Sequence, residues 1–218
     1  FDIGANIGFT AIMAKIQDPK KELLLADPNP MALSTAAKNL ILNNWAWRCH
    51  FYNAFVSEKS GEQIPFFTVG TGAAGSMFKG HAESAAAIGS SYLVPTITID
   101  DLVKLVGWNP ELVKVDVEGA ESFVLQGATK LAREEKAVFM VEMHSPPELP
   151  MIENAERILQ WCREHNYQAW YMKDSVRLKE PAQIAQRGKC HLLLMQADLD
   201  NPEEMKGIRQ GDSIYVIR

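Results

Sequence analysis

Cysteine is scarce. The 218 residues hold only Cys49, Cys162 and Cys190, far apart and without a C-x-x-C pair, which argues against both a disulfide framework and a cysteine zinc site and points to a reducing, cytoplasmic setting. No apolar run approaches the roughly 18 residues of a membrane span, and no basic-then-apolar signal segment opens the chain. Positive charge is not in excess either. With a formal net charge of −5 and a pI of about 5.6, the broad basic footprint of a nucleic-acid binder is missing, and a small-molecule or sugar-like partner fits better. An initiator methionine is absent too, and Phe1 reads as part of a strand, so the numbering is expected to start part-way into a longer chain.

Apolar residues make up 47% of the sequence, enough for one sizeable core in a single domain over residues 1–218. Composition leaves monomer and homo-oligomer both open. The opening segment FDIGANIGFTA reads as a strand that breaks at Gly4 and runs through a tight turn into an amphipathic helix. Residues 22–27 (ELLLAD) form an apolar run suited to a strand buried on both faces. PNPMALSTAAKNLILNN then carries prolines at a helix start and apolar residues at helical spacing.

Further strands are predicted over residues 49–57, 63–69, 94–99, 112–117, 137–143, 168–172 and 191–196, with a short terminal one at 215–217. Helices are predicted from GAESFVLQGATKLARE, read as one helix, and from residues 152–165. Residues 70–91 are rich in Gly, Ala and Ser with weak periodicity, and read as a loop or mobile lid. The segment 171–189 (YMKDSVRLKEPAQIAQRGK) is charged; it reads as a solvated hairpin, with an anionic acceptor such as a nucleotide-sugar as its alternative use. Strands alternating with helices predict a doubly wound α/β fold with a mostly parallel sheet and helices on both faces, whose ligands sit at the carboxyl ends of the strands. The residues at those ends are Gly4 to Gly8, Asp27, Asn53, Ala54, Asp116 to Glu118, and Glu142 to His144.

A dinucleotide fingerprint is lacking. Asn6 stands where G-x-G-x-x-G needs its second glycine, so Gly4-Ala5-Asn6-Ile7-Gly8 makes a close turn without a bare phosphate cradle. A nucleoside without phosphates suits such a turn. Asp27 follows Asp2 by about one strand-helix-strand unit, where a carboxylate accepts both hydrogen bonds of a ribose diol, and Asp2 remains to meet a cationic amino group. Ribose, adenine and ammonium on one ligand describe S-adenosylmethionine (SAM). The cofactor-binding residues expected are therefore Asp2, Gly4, Asn6, Gly8, Asp27, Asn53 and Ala54.

In their order, FDIGANIGFT, ADPNP, NLILNN, TITIDDL, VKVDVEGAESFVLQGA and VEMH resemble the FkbM-type SAM-dependent methyltransferases. The resemblance implies a class I methyltransferase fold, Rossmann-like with a seven-strand sheet, and methylation of a hydroxyl on a sugar or secondary metabolite. Two other classes stay open: a nicotinamide-dependent oxidoreductase on the same architecture, and a SAM-binding module without turnover.

Asp116 and Glu118 share parity, as do Glu142 and His144, so each pair projects to one side while strand geometry lasts. His144 is the expected general base, with an ordinary pKa near 6.5, and Asp116 and Glu118 would orient it or the acceptor. A divalent cation held by Asp116, Glu118, Glu142 and His144 is the alternative, although carboxylates alone do not establish a metal site. The plainer reading places Glu118 and Glu121 in the first turn of a helix, favoured there by its dipole. His50, His81, His165 and His191 are expected to be surface or satisfied core groups.

Overall fold

A computed structural model describes residues 1–70 and 75–200. Its strands are β1 (Asp2–Ile3), β2 (Leu23–Ala26), β3 (Cys49–Tyr52), β4 (Phe55–Val56), β5 (Gln63–Phe67), β6 (Ser91–Ile97), β7 (Leu112–Val115), β8 (Val138–Met143), β9 (Tyr167–Tyr171), β10 (Val176–Leu178) and β11 (Cys190–Gln196). The helices are α1 (Phe9–Gln17), α2 (Pro30–Leu42), α3 (Glu83–Ala87), α4 (Ile99–Val106), α5 (Glu121–Gln126), α6 (Thr129–Glu134), α7 (Met151–Glu164) and α8 (Pro181–Ala185).

The main sheet has eight strands in the order β10-β9-β11-β8-β7-β1-β2-β3, one more than the seven expected. The extra strand is β10, which pairs antiparallel with β9; part of the segment read as a charged hairpin therefore extends the sheet. From β3 to β8 all neighbours are parallel, and β11 runs antiparallel between β8 and β9. Leu24 packs into the core on one side of β2 and Leu25 into the other, as strand alternation requires. Helices α1 and α2 cover the second of these faces with Ala11, Leu33, Ala36 and Leu40.

Several elements differ from expectation for identifiable reasons. The strand expected over residues 49–57 is two: β3 joins the main sheet, while β4 pairs with β6 in a small second sheet. At the break, the Asn53 side-chain amide donates to the carbonyls of Asp27 and Pro28, tying the corner to the end of β2. The single helix expected from GAESFVLQGATKLARE divides into α5 and α6. Asp100, in the first turn of α4, accepts from the backbone N–H of Lys130 and Leu131, so it caps a second helix start where continuous helix was expected. Helix α4 begins inside the predicted 94–99 strand because the Thr98 hydroxyl caps the Asp101 N–H. Within the stretch read as a lid, Ala82 and Ala85 are buried with Phe67, so this stretch has a small core and a short helix. The predicted strand at 215–217 lies outside the described residues. No helix among the described residues is long and apolar enough to cross a membrane.

The larger core centres on Phe139, whose ring meets Trp161 edge-on at 5.3 Å and Tyr167 at 5.8 Å between centroids. Phe139 and Trp161 are fully buried, and Tyr167 is nearly so. Phe139→Ala should destabilise the protein by about 3–5 kcal/mol, the cost of an aromatic cavity in a close-packed core. Chemical denaturation of both proteins measures it.

Candidate functional site

The chain runs β1, β2, β3 outward in one direction and β7, β8 outward in the other, so the order reverses between β1 and β7. Such a switch point leaves a crevice beyond the strand ends. A cleft opens there, lined by Ile3, Gly4 and Asn6 after β1, Ala26, Asp27 and Asn29 after β2, Ala54 to Val56, and Asp116 to Glu118 after β7. Phe66 adds an apolar wall from the small sheet. Of the expected cofactor residues, Gly4, Asn6, Asp27 and Ala54 line this cleft. Asp2, Gly8 and Asn53 stand behind it.

The turn after β1 works differently from the sequence reading. Gly4 has φ +76°, and a Cβ there would lie 1.8 Å from the carbonyl oxygen of Asp116. Its missing side chain makes room for the chain leaving the neighbouring strand β7. Gly8 opens α1 and abuts Ala36. Asn6 also has positive φ, its N–H donates to Asp27 Oδ2 at 2.7 Å, and its own Oδ1 is buried without a partner.

Asp27 Oδ1 accepts from the Asn29 N–H at 2.8 Å, so each carboxylate oxygen holds one backbone donor and keeps capacity for another. Burial raises the Asp27 pKa to about 6, against the lowering effect of the Asn29 and Asn6 hydrogen bonds. Asp2 Oδ1 lies 3.5 Å from the Lys114 ammonium. Lys114 also holds Asp116 Oδ2 at 3.1 Å. Burial pushes the Asp2 pKa up, with Lys114 opposing.

Beyond β8, His144 is buried at the centre of a polar cluster. Its Nδ1 lies 2.8 Å from Glu121 Oε1, and its Nε2 faces Glu118 Oε2 at 3.2 Å, Glu142 Oε1 at 3.7 Å and Asp116 Oδ1 at 3.9 Å. The sequence-predicted trio of His144, Asp116 and Glu118 is thus brought together. Strand β7 ends at Val115, so Glu118 arrives through a turn with φ +52° and not by strand alternation. Gly119 continues that turn, and a Cβ there would meet Pro146 at 2.6 Å.

Sequence reasoning missed three contributors. Glu121 does stand in the first turn of α5, but it is fully buried: Oε1 accepts from the Gly119 N–H at 2.9 Å as well as facing His144, and Oε2 accepts from the Asn154 amide at 2.8 Å. His81, expected at the surface or in the core, lies 2.5 Å from Glu118 Oε2 and edge-on to the His144 ring. His191 is at the surface, as expected, and from there its Nε2 faces Glu142 Oε2 at 3.2 Å. The acidic residue opening α5 was a usable signal, since a glutamate in DVEGAE is as available to a strand-end histidine as to a helix dipole. Burial lowers the His144 pKa, but the hydrogen bond and charge of Glu121, with Glu118, outweigh it and leave the pKa raised. Lys189 lies 2.7 Å from Glu142 Oε1, and the Glu142 pKa is lowered: burial raises it, while Lys189 and His191 more than compensate.

The FkbM methyltransferase domain model matches residues 2–169. The chain belongs to the FkbM methyltransferase family. A solved structure of methyltransferase FkbM from Methylobacillus flagellatus KT superposes with a TM-score of 0.54 at 18% identity, covering 88% of this chain. The match spans 42% of that longer chain, and at this identity the likeness carries the fold. No curated protein sequence matches the chain.

Glu121→Ala should cost about 3–5 kcal/mol in stability, because it strands His144 Nδ1, the Gly119 N–H and Asn154 in the interior. Glu121→Gln should cost less. Urea unfolding of the two variants beside the parent checks the order.

Proposed function

We infer that the protein is a SAM-dependent O-methyltransferase acting on a hydroxyl of a small-molecule or sugar-like acceptor. The observation that carries this reading is Asp27: its buried carboxylate lies at the end of β2 in the switch-point cleft, with acceptor capacity left on both oxygens. The cleft combines that carboxylate with the apolar walls of Phe55, Val56, Phe66 and Val117 and the unpartnered Asn6 Oδ1, an acceptor and surface set that suits a nucleoside. Asp27 would hold the ribose, with Gly4, Asn6 and Ala54 against the rest of the cofactor. Asp2 acts behind them through Lys114, Gly8 through the start of α1, and Asn53 through the corner after Asp27. When bound, SAM supplies an electrophilic methyl group.

Asp116 and Glu118 line the cleft and belong to the His144 cluster, so they receive the acceptor hydroxyl where its proton can be taken up. Holding the oxygen in near-attack geometry supplies much of the rate. His144, Asp116 and Glu118 are therefore the catalytic residues of this reading.

Calorimetric titration with SAM and then NAD tests the cofactor. Saturable binding of SAM is expected, and binding of NAD alone would point instead to an oxidoreductase. A labelled-SAM screen over sugars and hydroxylated metabolites separates an enzyme from a binding module. Asp27→Ala should weaken SAM binding by about 1.5–3 kcal/mol, the range for hydrogen bonds to a charged group. Unchanged affinity in a folded variant would reject the ribose assignment. Because the ionised carboxylate is the better acceptor of both ribose bonds, affinity should hold above the Asp27 pKa of about 6 and fall as the pH drops through it; Asp27→Asn should flatten that dependence. His144→Ala should lower turnover about 10²–10⁴-fold at saturating SAM, the usual span for losing a proton-transfer group, with SAM affinity retained.

A further inference from the structure

We propose that His144 Nε2, Asp116 Oδ1 and Glu142 Oε1 form a binding site for a first-row divalent cation, with Glu118 beside it. One ligand atom from each of these three residues lies within 4.8 Å of the other two. Metal–ligand bonds of about 2.1 Å place tetrahedral neighbours about 3.4 Å apart, so the 3.7 and 3.9 Å separations from Nε2 close with small side-chain rotations.

The acidic cluster does not carry this alone. His144 is 3% exposed, and its Nε2 is buried without a hydrogen-bond partner while facing three carboxylates. Its other nitrogen is committed. Nδ1 faces Glu121 at 2.8 Å, and Glu121 accepts only when Nδ1 carries the proton, which leaves the Nε2 lone pair turned to the cluster. A carboxylate behind the imidazole is the arrangement that orients metal-binding histidines, and here that carboxylate is itself fixed by Gly119 and Asn154.

The neighbouring cations are placed compatibly. Lys114 takes the other oxygen of Asp116, Oδ2, and His191 takes the other oxygen of Glu142, Oε2. Among the described residues, Lys189 competes directly, at 2.7 Å from Glu142 Oε1, but its side chain is 61% exposed and can swing into solvent. The mixed imidazole and carboxylate set suits Mn²⁺ or Zn²⁺ better than Ca²⁺.

The use of the ion rests on the methyl-transfer reading; its binding does not. An acceptor hydroxyl completing the coordination would be acidified: with His144 Nε2 held by the ion, the proton passes to the Glu118 carboxylate in its place, the O–H electron pair stays on oxygen and forms the bond to the methyl carbon, and the sulfur–methyl bond breaks with its pair leaving on the sulfur of S-adenosylhomocysteine.

The test is titration of chelator-stripped, desalted protein with MnCl₂ and separately with ZnCl₂, by calorimetry and, for Mn²⁺, by loss of the free-ion electron paramagnetic resonance signal, without SAM or acceptor. One ion per chain is expected. Glu142→Gln and His144→Ala should each weaken binding at least tenfold, and Lys189→Ala should tighten it. Absence of binding by the folded parent, or binding that all three variants leave unchanged, overturns the site. SAM titration of the stripped protein is scored separately, so failure of the cofactor reading is distinguishable from failure of the cation site.

Discussion

Gly4 passes so close to the backbone of Asp116 that no side chain fits between them, and the whole site is built around that approach. It lets β1 and β7 lie side by side where the strand order reverses. Everything after those two strands then faces one crevice. Asp27 joins from β2 through its bond to the Asn6 N–H, and His144 joins from β8, which pairs directly with β7. A longer residue at position 4 would pry the two halves apart, and would be strained at its positive φ as well.

Charge organises the same region. Lys114 on β7 is shared between Asp2 and Asp116, so it links the back of the turn after β1 to the Asp116 end of the cleft. Around His144, four carboxylates face a single imidazole: Glu121 behind it, Glu118, Asp116 and Glu142 before it. Burial weakens the screening of such a group, and the excess negative charge there is met by Lys189 and Lys114 from outside, while the His81 ring lies against Glu118. That density of carboxylates makes the cluster receptive to a proton or to a metal ion.

Much of this was legible in the sequence. The glycine turn, the apolar strand ending on Asp27, and the strand ends at Asp116 and His144 follow from local pattern, and the family resemblance ties them to one fold and is supported by the domain match over residues 2–169. What stayed hidden depends on contacts between residues far apart along the chain. Glu121 and His144 are 23 positions apart, His81 and Glu118 37, and His191 and Glu142 49; no periodicity reports such pairings. The break between α5 and α6 likewise follows from Asp100 reaching across to cap Lys130 and Leu131. Strand β10 reads as a charged hairpin because Val176 and Arg177, two of its three residues, are exposed.

The central claim is that the switch-point cleft is a nucleoside site fixed by Asp27. A crystal structure of the protein with S-adenosylhomocysteine, which lacks the transferable methyl, tests it most directly. The account predicts both ribose hydroxyls within about 2.5–3.0 Å of the Asp27 oxygens, with the sulfur directed toward Asp116 and Glu118. A nucleoside bound elsewhere, or bound in the cleft with its ribose turned away from Asp27, would contradict it.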